Sequence, residues 1–293
     1  MHLHAFACII VFLLAGLSKE ITLMIFSRSL RSSARNGTSG IGCKLPSDLM
    51  ASLSVPLLLI GLWALSSRLG WISQDILPSP QDVLLSLADM YHSGILLSNA
   101  GSSFSRLIWG LVAGVMLGAA LGVWMGSSLL TEELLLPTFK IFNLVPPLGW
   151  IPLLTMLMGI EDSMKIMIIA KAVMTPVTLN TLQGMKNVSL KFKEVAKVHQ
   201  LTTVHKARLL YIPSILPFFI TGVRYGFSNA WMALVAVELL ASSEGLGYLL
   251  SEGRQLFQLD VVMAMVFIIG VLGWLTDKLL EKLDNKFQLL RNN

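Results

Sequence analysis

Residues 107–126 read Leu-Ile-Trp-Gly-Leu-Val-Ala-Gly-Val-Met-Leu-Gly-Ala-Ala-Leu-Gly-Val-Trp-Met-Gly. No charge, amide or hydroxyl interrupts the run. Coiled as an α-helix, a run of this length covers about 30 Å, the thickness of the hydrocarbon core of a bilayer. Gly110, Gly114, Gly118, Gly122 and Gly126 recur at every fourth position, so they share one face of that helix. A stripe without side chains lets a second backbone approach closely, which is how helices associate where lipid removes the hydrophobic drive between them. The stretch predicts a membrane-spanning helix with a tightly packed neighbour, and carries no information about chemistry.

The rest of the chain agrees. It is 54% hydrophobic and 13% charged, with a mean hydropathy of +0.71, whereas a soluble domain carries about 25% charged residues. Lipid is therefore the expected solvent. Runs long enough to span occur at 53–69, 107–125, 141–160, 164–182, 215–240 and 261–280. The expected fold class is all-α: a polytopic membrane protein with about six transmembrane helices. The third run is interrupted by Pro146, Pro147 and Pro152, which cannot continue a helical hydrogen-bond ladder.

Basic residues set the orientation. Lys19, Arg28, Arg31, Arg35 and Lys44 precede the first run. Lys186, Lys191, Lys193, Lys197, Lys206 and Arg208 lie between the fourth and fifth, and Lys278, Lys282, Lys286 and Arg291 at or beyond the end of the sixth. With six spans these segments share one side, which the positive-inside rule makes cytoplasmic. Residues 72–99 then lie outside, with Asp75, Asp82 and Asp89 and no lysine or arginine. The net charge of +5 is explained by this topology, and no nucleic-acid partner is expected.

Four segments are expected: an N-terminal extension over 1–49, a first span with an external segment over 50–95, a main membrane domain over 96–283 with a cytoplasmic loop at 184–217, and a tail over 284–293. Residues 5–17 are apolar but short and lack the basic start of a signal peptide, while Met50 stands directly before the first span. Residues 1–49 read as an over-long gene start or an unstructured cytoplasmic extension, with an extra interfacial or spanning helix as the alternative. Cys8 and Cys43 match neither a metal spacing nor a disulfide framework.

The polar stretch 184–211 holds Glu194-Val195-Ala196-Lys197-Val198-His199-Gln200-Leu201. Val195, Val198 and Leu201 fall at helical spacing and give a short apolar face on a basic body. Thr202 or Thr203 can cap a second short helix beginning near Val204. Pro213 and Pro217 would break or start helices. The segment reads as a helix-turn-helix elbow between two spans. Its apolar knob suits a groove in a cytoplasmic partner, and a solvated basic loop is the alternative.

Glu194-Val195-Ala196 with Leu201, followed by Pro213 and Pro217, resembles the EAA loop of binding-protein-dependent ABC importer permeases. The resemblance extends over residues 53–287. Ile76-Leu77-Pro78-Ser79-Pro80, Asn143-Leu144-Val145-Pro146-Pro147 with Ile151-Pro152-Leu153, Gly222-Val223-Arg224-Tyr225, and Glu238-Leu239-Leu240 with Gly245-Leu246-Gly247-Tyr248-Leu249 look like signatures of its nitrate/sulfonate/taurine branch. The resemblance implies a type I ABC importer transmembrane domain in the bacterial inner membrane, with both termini cytoplasmic. It implies a non-catalytic subunit whose Glu194, Val195, Ala196, Val198, Gln200, Leu201, Pro213 and Pro217 couple it to a separate ABC ATPase. ATP would be bound by that partner and no cofactor by this chain. It further implies a periplasmic or lipid-anchored solute-binding protein, a second permease copy in a homodimer embedded in membrane lipid, and a small anionic solute of the nitrate, taurine or alkanesulfonate type. The family loop usually has glycine where this chain has Gln200. Gln200 must adopt a costlier backbone or let the turn shift.

Several polar groups fall within spans. Lys171 is a charge in an apolar run, a functional candidate by default. Arg224 could line a solute path, snorkel to the interface or pair with a carboxylate. Glu238 reads as an interfacial carboxylate or a path residue. Thr178 and Asn180 read as interhelical hydrogen-bonding groups or path groups. Pro146 and Pro147 would expose backbone groups to a cavity. Pro146, Pro147, Lys171, Asn180, Arg224 and Glu238 are thus the candidate path residues. The alternative, an ATP-independent secondary transporter or channel, predicts paired carboxylates deep in the membrane or an inverted repeat, and the sequence offers neither. A membrane enzyme would need a catalytic cluster at one interface, and none is suggested.

Overall fold

A computed structural model describes residues 58, 60–71, 73, 76–189, 194–196 and 198–292, with the backbone alone for 203, 207 and 283–292. The extension 1–49, both cysteines and the start of the first predicted span lie outside the described residues. The chain divides into two compact units, one ending at Pro80 and one beginning at Gln81. In the first, residues 60–68 are helical and Trp63 Nε1 donates to Pro78 O at 3.1 Å.

From Pro80 on, the order is α1 (Pro80–His92), α2 (Ile95–Gly126), α3 (Leu129–Leu144), α4 (Ile151–Met158), α5 (Asp162–Lys186), α6 (Thr203–Lys206), α7 (Ile212–Ala241), α8 (Leu246–Gln255) and α9 (Leu259–Asn292). Among the described residues, four helices are long and apolar enough to cross a bilayer: α2, α5, the run Val204–Ala241, and Leu259–Lys282 of α9. The bent pair Leu129–Leu144 and Pro147–Met158 is a fifth when it is taken as one broken span.

The glycine stripe of α2 finds its neighbour in α5. A Cβ added at Gly114 would lie 2.6 Å from Ala170 O, at Gly118 2.9 Å from Met174 O, and at Gly122 2.8 Å from Thr178 O. These are backbone obstacles that cannot rotate away, so only hydrogen fits. The other side of α5 takes α7 just as closely: a Cβ at Gly184 would sit 2.8 Å from Ile215 Cα, and one at Gly222 2.9 Å from Asn180 Cβ. Leu107 of α2, Ile169, Val173 and Val177 of α5, and Phe227, Ala230 and Leu234 of α7 fill the seam. α5 is thus the central helix.

The prolines act differently in two elements. The third run is broken, as its prolines predict, and forms a corner. α3 begins at Leu129 behind a capping box of Ser128 and Thr131 and stops at Leu144. Pro146 is extended (φ −61°, ψ 153°), a 3₁₀ turn covers Pro147–Trp150, and Pro152 stands in the first turn of α4. The two arms are bent by 82°. Each proline thus starts a new helical segment, where its missing N–H costs nothing. Pro213 stands in the first turn of α7, the starting role expected of it, whereas Pro217 lies inside the helix, and helical turns run from Val204 to Ala241. Pro213 cannot donate to Leu209 O, and a π-helical turn at Ala207–Tyr211 widens the ladder just before it, so the axis continues.

Candidate functional site

The elbow is built as a capped turn. Residues 194–196 and 198 are helical. Leu201 N–H donates back to Ala196 O at 3.1 Å and His199 N–H to Val195 O at 3.0 Å. The first of these spans five residues, the signature of a helix end closed by one left-handed residue. That residue is Gln200, at φ 48°. The turn has not shifted; a glutamine occupies the conformation that favours glycine. Val195 and Val198 are 53% and 80% exposed, whereas Ala196 is 2% exposed and Leu201 half-buried. The predicted three-residue apolar face is therefore a two-valine knob, because Leu201 turns inward beneath the cap. Glu194 and Gln200 are exposed, and Lys191, Lys193 and Lys197 lie outside the described residues. Thr202 Oγ1 meets His205 Nδ1 at 2.7 Å, and the second helix begins at Thr203, as the sequence predicts.

A second group gathers at the α3–α4 corner. Lys171 Nζ donates to Val145 O at 2.7 Å, a carbonyl left open where α3 ends. The ammonium lies 5.2 Å from the Phe142 ring centre and 5.6 Å from that of Trp150, within cation–π range. One turn along α5, Thr175 Oγ1 donates to Asn143 Oδ1, and Asn143 Nδ2 donates to Phe139 O at 2.9 Å. The corner thus brings Pro146, Pro147 and Lys171 of the predicted path set together.

The remaining candidates lie elsewhere. Arg224 stands 4.0 Å from Asp277 and 3.9 Å from Glu281 of α9, the carboxylate-paired alternative, and ties α7 to α9. Among the described residues Asn180 makes no hydrogen bond across helices: its Nδ2 donates to Pro176 O of its own helix at 2.8 Å. Thr178, fully buried, has no hydrogen-bond partner for Oγ1 among the described residues. Both sit where α5 meets glycines, so the close contact comes from small residues and not from side-chain hydrogen bonds.

Glu238 belongs to an ion cluster that the sequence did not reveal. Arg106, 1% exposed, donates from Nε to Asp162 at 2.7 Å, from Nη1 to Glu238 at 3.0 Å, and from Nη2 to Glu244 at 2.6 Å. Glu238, also 1% exposed, further accepts from Ser103 Oγ at 2.8 Å and from Gly247 N–H at 3.0 Å. Lys165 Nζ donates to Asp162 at 3.1 Å. One carboxylate thus sits on the N-terminus of α8, where the peptide dipoles favour negative charge, and one guanidinium binds α2, α5, α7 and the turn before α8. Gly245, at φ 119°, leaves room for it: a Cβ there would lie 2.5 Å from the Glu238 carboxylate. Arg106 and Lys165 stand at span ends in sequence, where charges ordinarily meet water, so nothing marked them as buried.

Comparison with known proteins gives a consistent result. The family described as binding-protein-dependent transport system inner membrane component matches residues 110–288. The chain is 33% identical to the putative aliphatic sulfonates transport permease protein of Bacillus subtilis, over 83% of this chain and 88% of that protein. It is 29% identical to the taurine transport system permease protein of Escherichia coli, over 83% and 90%. To the nitrate import permease protein of Synechocystis it is 27% identical, over 71% and 79%.

Proposed function

We propose a solute class and an assembly for this chain on the premise that it belongs to the family of inner membrane components of binding-protein-dependent transport systems. As a member, it is a non-catalytic, multi-pass permease subunit of an ABC importer, which works with an ATPase and a solute-binding protein. The proposal is that it admits a small anion of the nitrate, taurine or alkanesulfonate type. The support is that relatives named for sulfonates, taurine and nitrate all align over most of its length.

The proposed assembly has two copies of this chain around one path in the bacterial inner membrane, with both termini cytoplasmic. The partner ATPase binds the ATP, and this chain holds no cofactor. The observation that carries the docking reading is the valine knob. Val195 and Val198 are exposed on a turn whose neighbouring residue Ala196 is buried, so the knob is rigidly based and apolar, the form that seats in a partner's groove. Closure of an ATPase pair on bound ATP would draw two elbows together. The continuous helix from Val204 to Ala241 would carry that movement into the membrane as a lever.

The test is co-purification of the chain with the ATPase and binding protein encoded beside it, in nanodiscs. The expected result is ATP hydrolysis stimulated by loaded binding protein and lost in Glu194→Ala. Absence of any association with an ATPase would refute the docking reading.

A further inference from the structure

Lys171 is the tenth residue of the 25-residue α5, roughly 14 Å along the axis from its start at 1.5 Å per residue. A lysine at this depth ordinarily points its ammonium to the nearest interface or pairs with a carboxylate. This one does neither. Its Nζ turns to Val145 O at the α3–α4 corner and lies beside the rings of Phe142 and Trp150.

The other cations of the long packed helices contrast with it. Arg106 reaches Asp162, Glu238 and Glu244, Lys165 reaches Asp162, Lys186 reaches Glu132, and Arg224 reaches Asp277. Among the described residues, Lys171 has contacts to one carbonyl and two rings and no carboxylate. One carbonyl uses one of its three N–H groups, leaving two donors and a full positive charge. The side chain is half-buried, on a stripe of α5 that neither α2 nor α7 covers: Met167 and Leu179, on the same stripe, are exposed. An amide and a hydroxyl, Asn143 and Thr175, stand one turn away. A charge without a counter-ion in a medium of low dielectric is costly. One remedy is an anion that comes and goes.

We propose that Lys171, held by the Val145 carbonyl beside the packed rings of Phe142 and Trp150, is the anion-recognition residue of the path, a transient counter-charge for a singly charged oxyanion. This rests on the anion-importer reading above and deepens it. The ring pair on one side of Nζ favours a weakly hydrated anion, such as a sulfonate or nitrate, over phosphate. The corner serves as the device that fixes the cation at this depth: the 82° bend opens the carbonyl that orients Nζ. Having one cation and no second base, the site binds weakly enough to release its anion.

The experiment uses the full complex with its ATPase and binding protein in proteoliposomes, with labelled taurine, ethanesulfonate and nitrate as probes. Lys171→Met is expected to lower uptake of the transported probe at least ten-fold. Stimulated ATP hydrolysis should stay within two-fold of wild type, and Lys171→Arg should recover most of the uptake. The same loss is expected in vesicles without anionic lipid, which separates a solute anion from a lipid headgroup. Wild-type uptake in Lys171→Met would overturn the proposal and leave the importer reading intact. Loss of complex assembly or of stimulated hydrolysis in Lys171→Met, or restoration of its uptake by removing anionic lipid, would assign the residue a structural or lipid-binding role and overturn it equally. Wild-type complex that imports a neutral or cationic solute and none of the probes would overturn the anion reading on which it rests.

Discussion

Among the described residues, two other than glycine sit in backbone conformations that their side chains disfavour. Gln200 has φ 48° and Phe257 φ 56°, and both occupy the same place, the left-handed residue that closes a helix end. At Phe257 the closure is complete: Gln258 N–H reaches Gly253 O at 2.8 Å and Phe257 N–H reaches Arg254 O. A left-handed residue other than glycine costs about 1–2 kcal/mol. Replacing Gln200 by glycine is therefore expected to leave the elbow's fold unchanged and to strengthen it. Slower hydrogen exchange at the Leu201 amide, with stimulated ATP hydrolysis equal to or above wild type, would show this; Gln200→Val should do the opposite, since a β-branched residue tolerates this conformation worst. The departure from glycine was visible in the sequence, but whether the turn shifted or the glutamine bent to it was not. That depends on the bond from Leu201 to Ala196, which no propensity encodes. Phe257 gave no signal, because Gln-Leu-Phe-Gln has no turn residue in it.

At the scale of elements, helix contacts are set by missing side chains and by one guanidinium. Gly114→Val is expected to destabilise by about 1–3 kcal/mol through overpacking, since the obstacle is Ala170 O, a backbone atom. Gly101, in the same helix, has nothing within 4 Å of its Cβ position, so Gly101→Ala should stabilise by about 0.5–1 kcal/mol. Thermal unfolding of the two variants in one detergent should move in opposite directions. The ion cluster behaves differently. Arg106→Met leaves Glu238 buried without its guanidinium, a change that costs about 3–5 kcal/mol when one partner of a buried pair is removed. Arg106→Met is expected to lose yield and monodispersity in purification, and Arg106→Met with Glu238→Gln to recover part of both. No recovery in the double variant would mean that Arg106 acts mainly through Asp162 and Glu244. The periodic glycines were readable because spacing is local. The cluster was not, because its members are as far apart in sequence as residues 103 and 247.

For the whole molecule, the packed seam of α2, α5 and α7 and the exposed elbow serve separate ends, and they should fail separately. Val195→Asp with Val198→Asp is expected to leave thermal unfolding in detergent unchanged, since both side chains are exposed. It should lower co-purified ATPase at least ten-fold, because charge replaces the apolar contact. If the ATPase binds as before, the knob is not the docking surface. The same separation lets Lys171 be tested without disturbing the elbow.

By itself the sequence determined the solvent, the helical class, the stripe that one helix offers another, and the two short helices of the elbow. These rest on composition and on periods of a few residues, which the chain carries in order. Only the tertiary structure decided that the arms of the broken third run meet at 82°, and that Pro213 starts α7 while Pro217 lies inside it. It also decided that Arg106 pairs with the buried Glu238 and with Asp162 and Glu244, and that Lys171 alone among these cations lacks a carboxylate. The physical reason is the same in each case. In a lipid-soluble chain, apolar residues face lipid and neighbouring helices alike, so hydropathy cannot say which faces meet. The cost of a buried charge or an open carbonyl is settled by whatever group of another helix stands beside it.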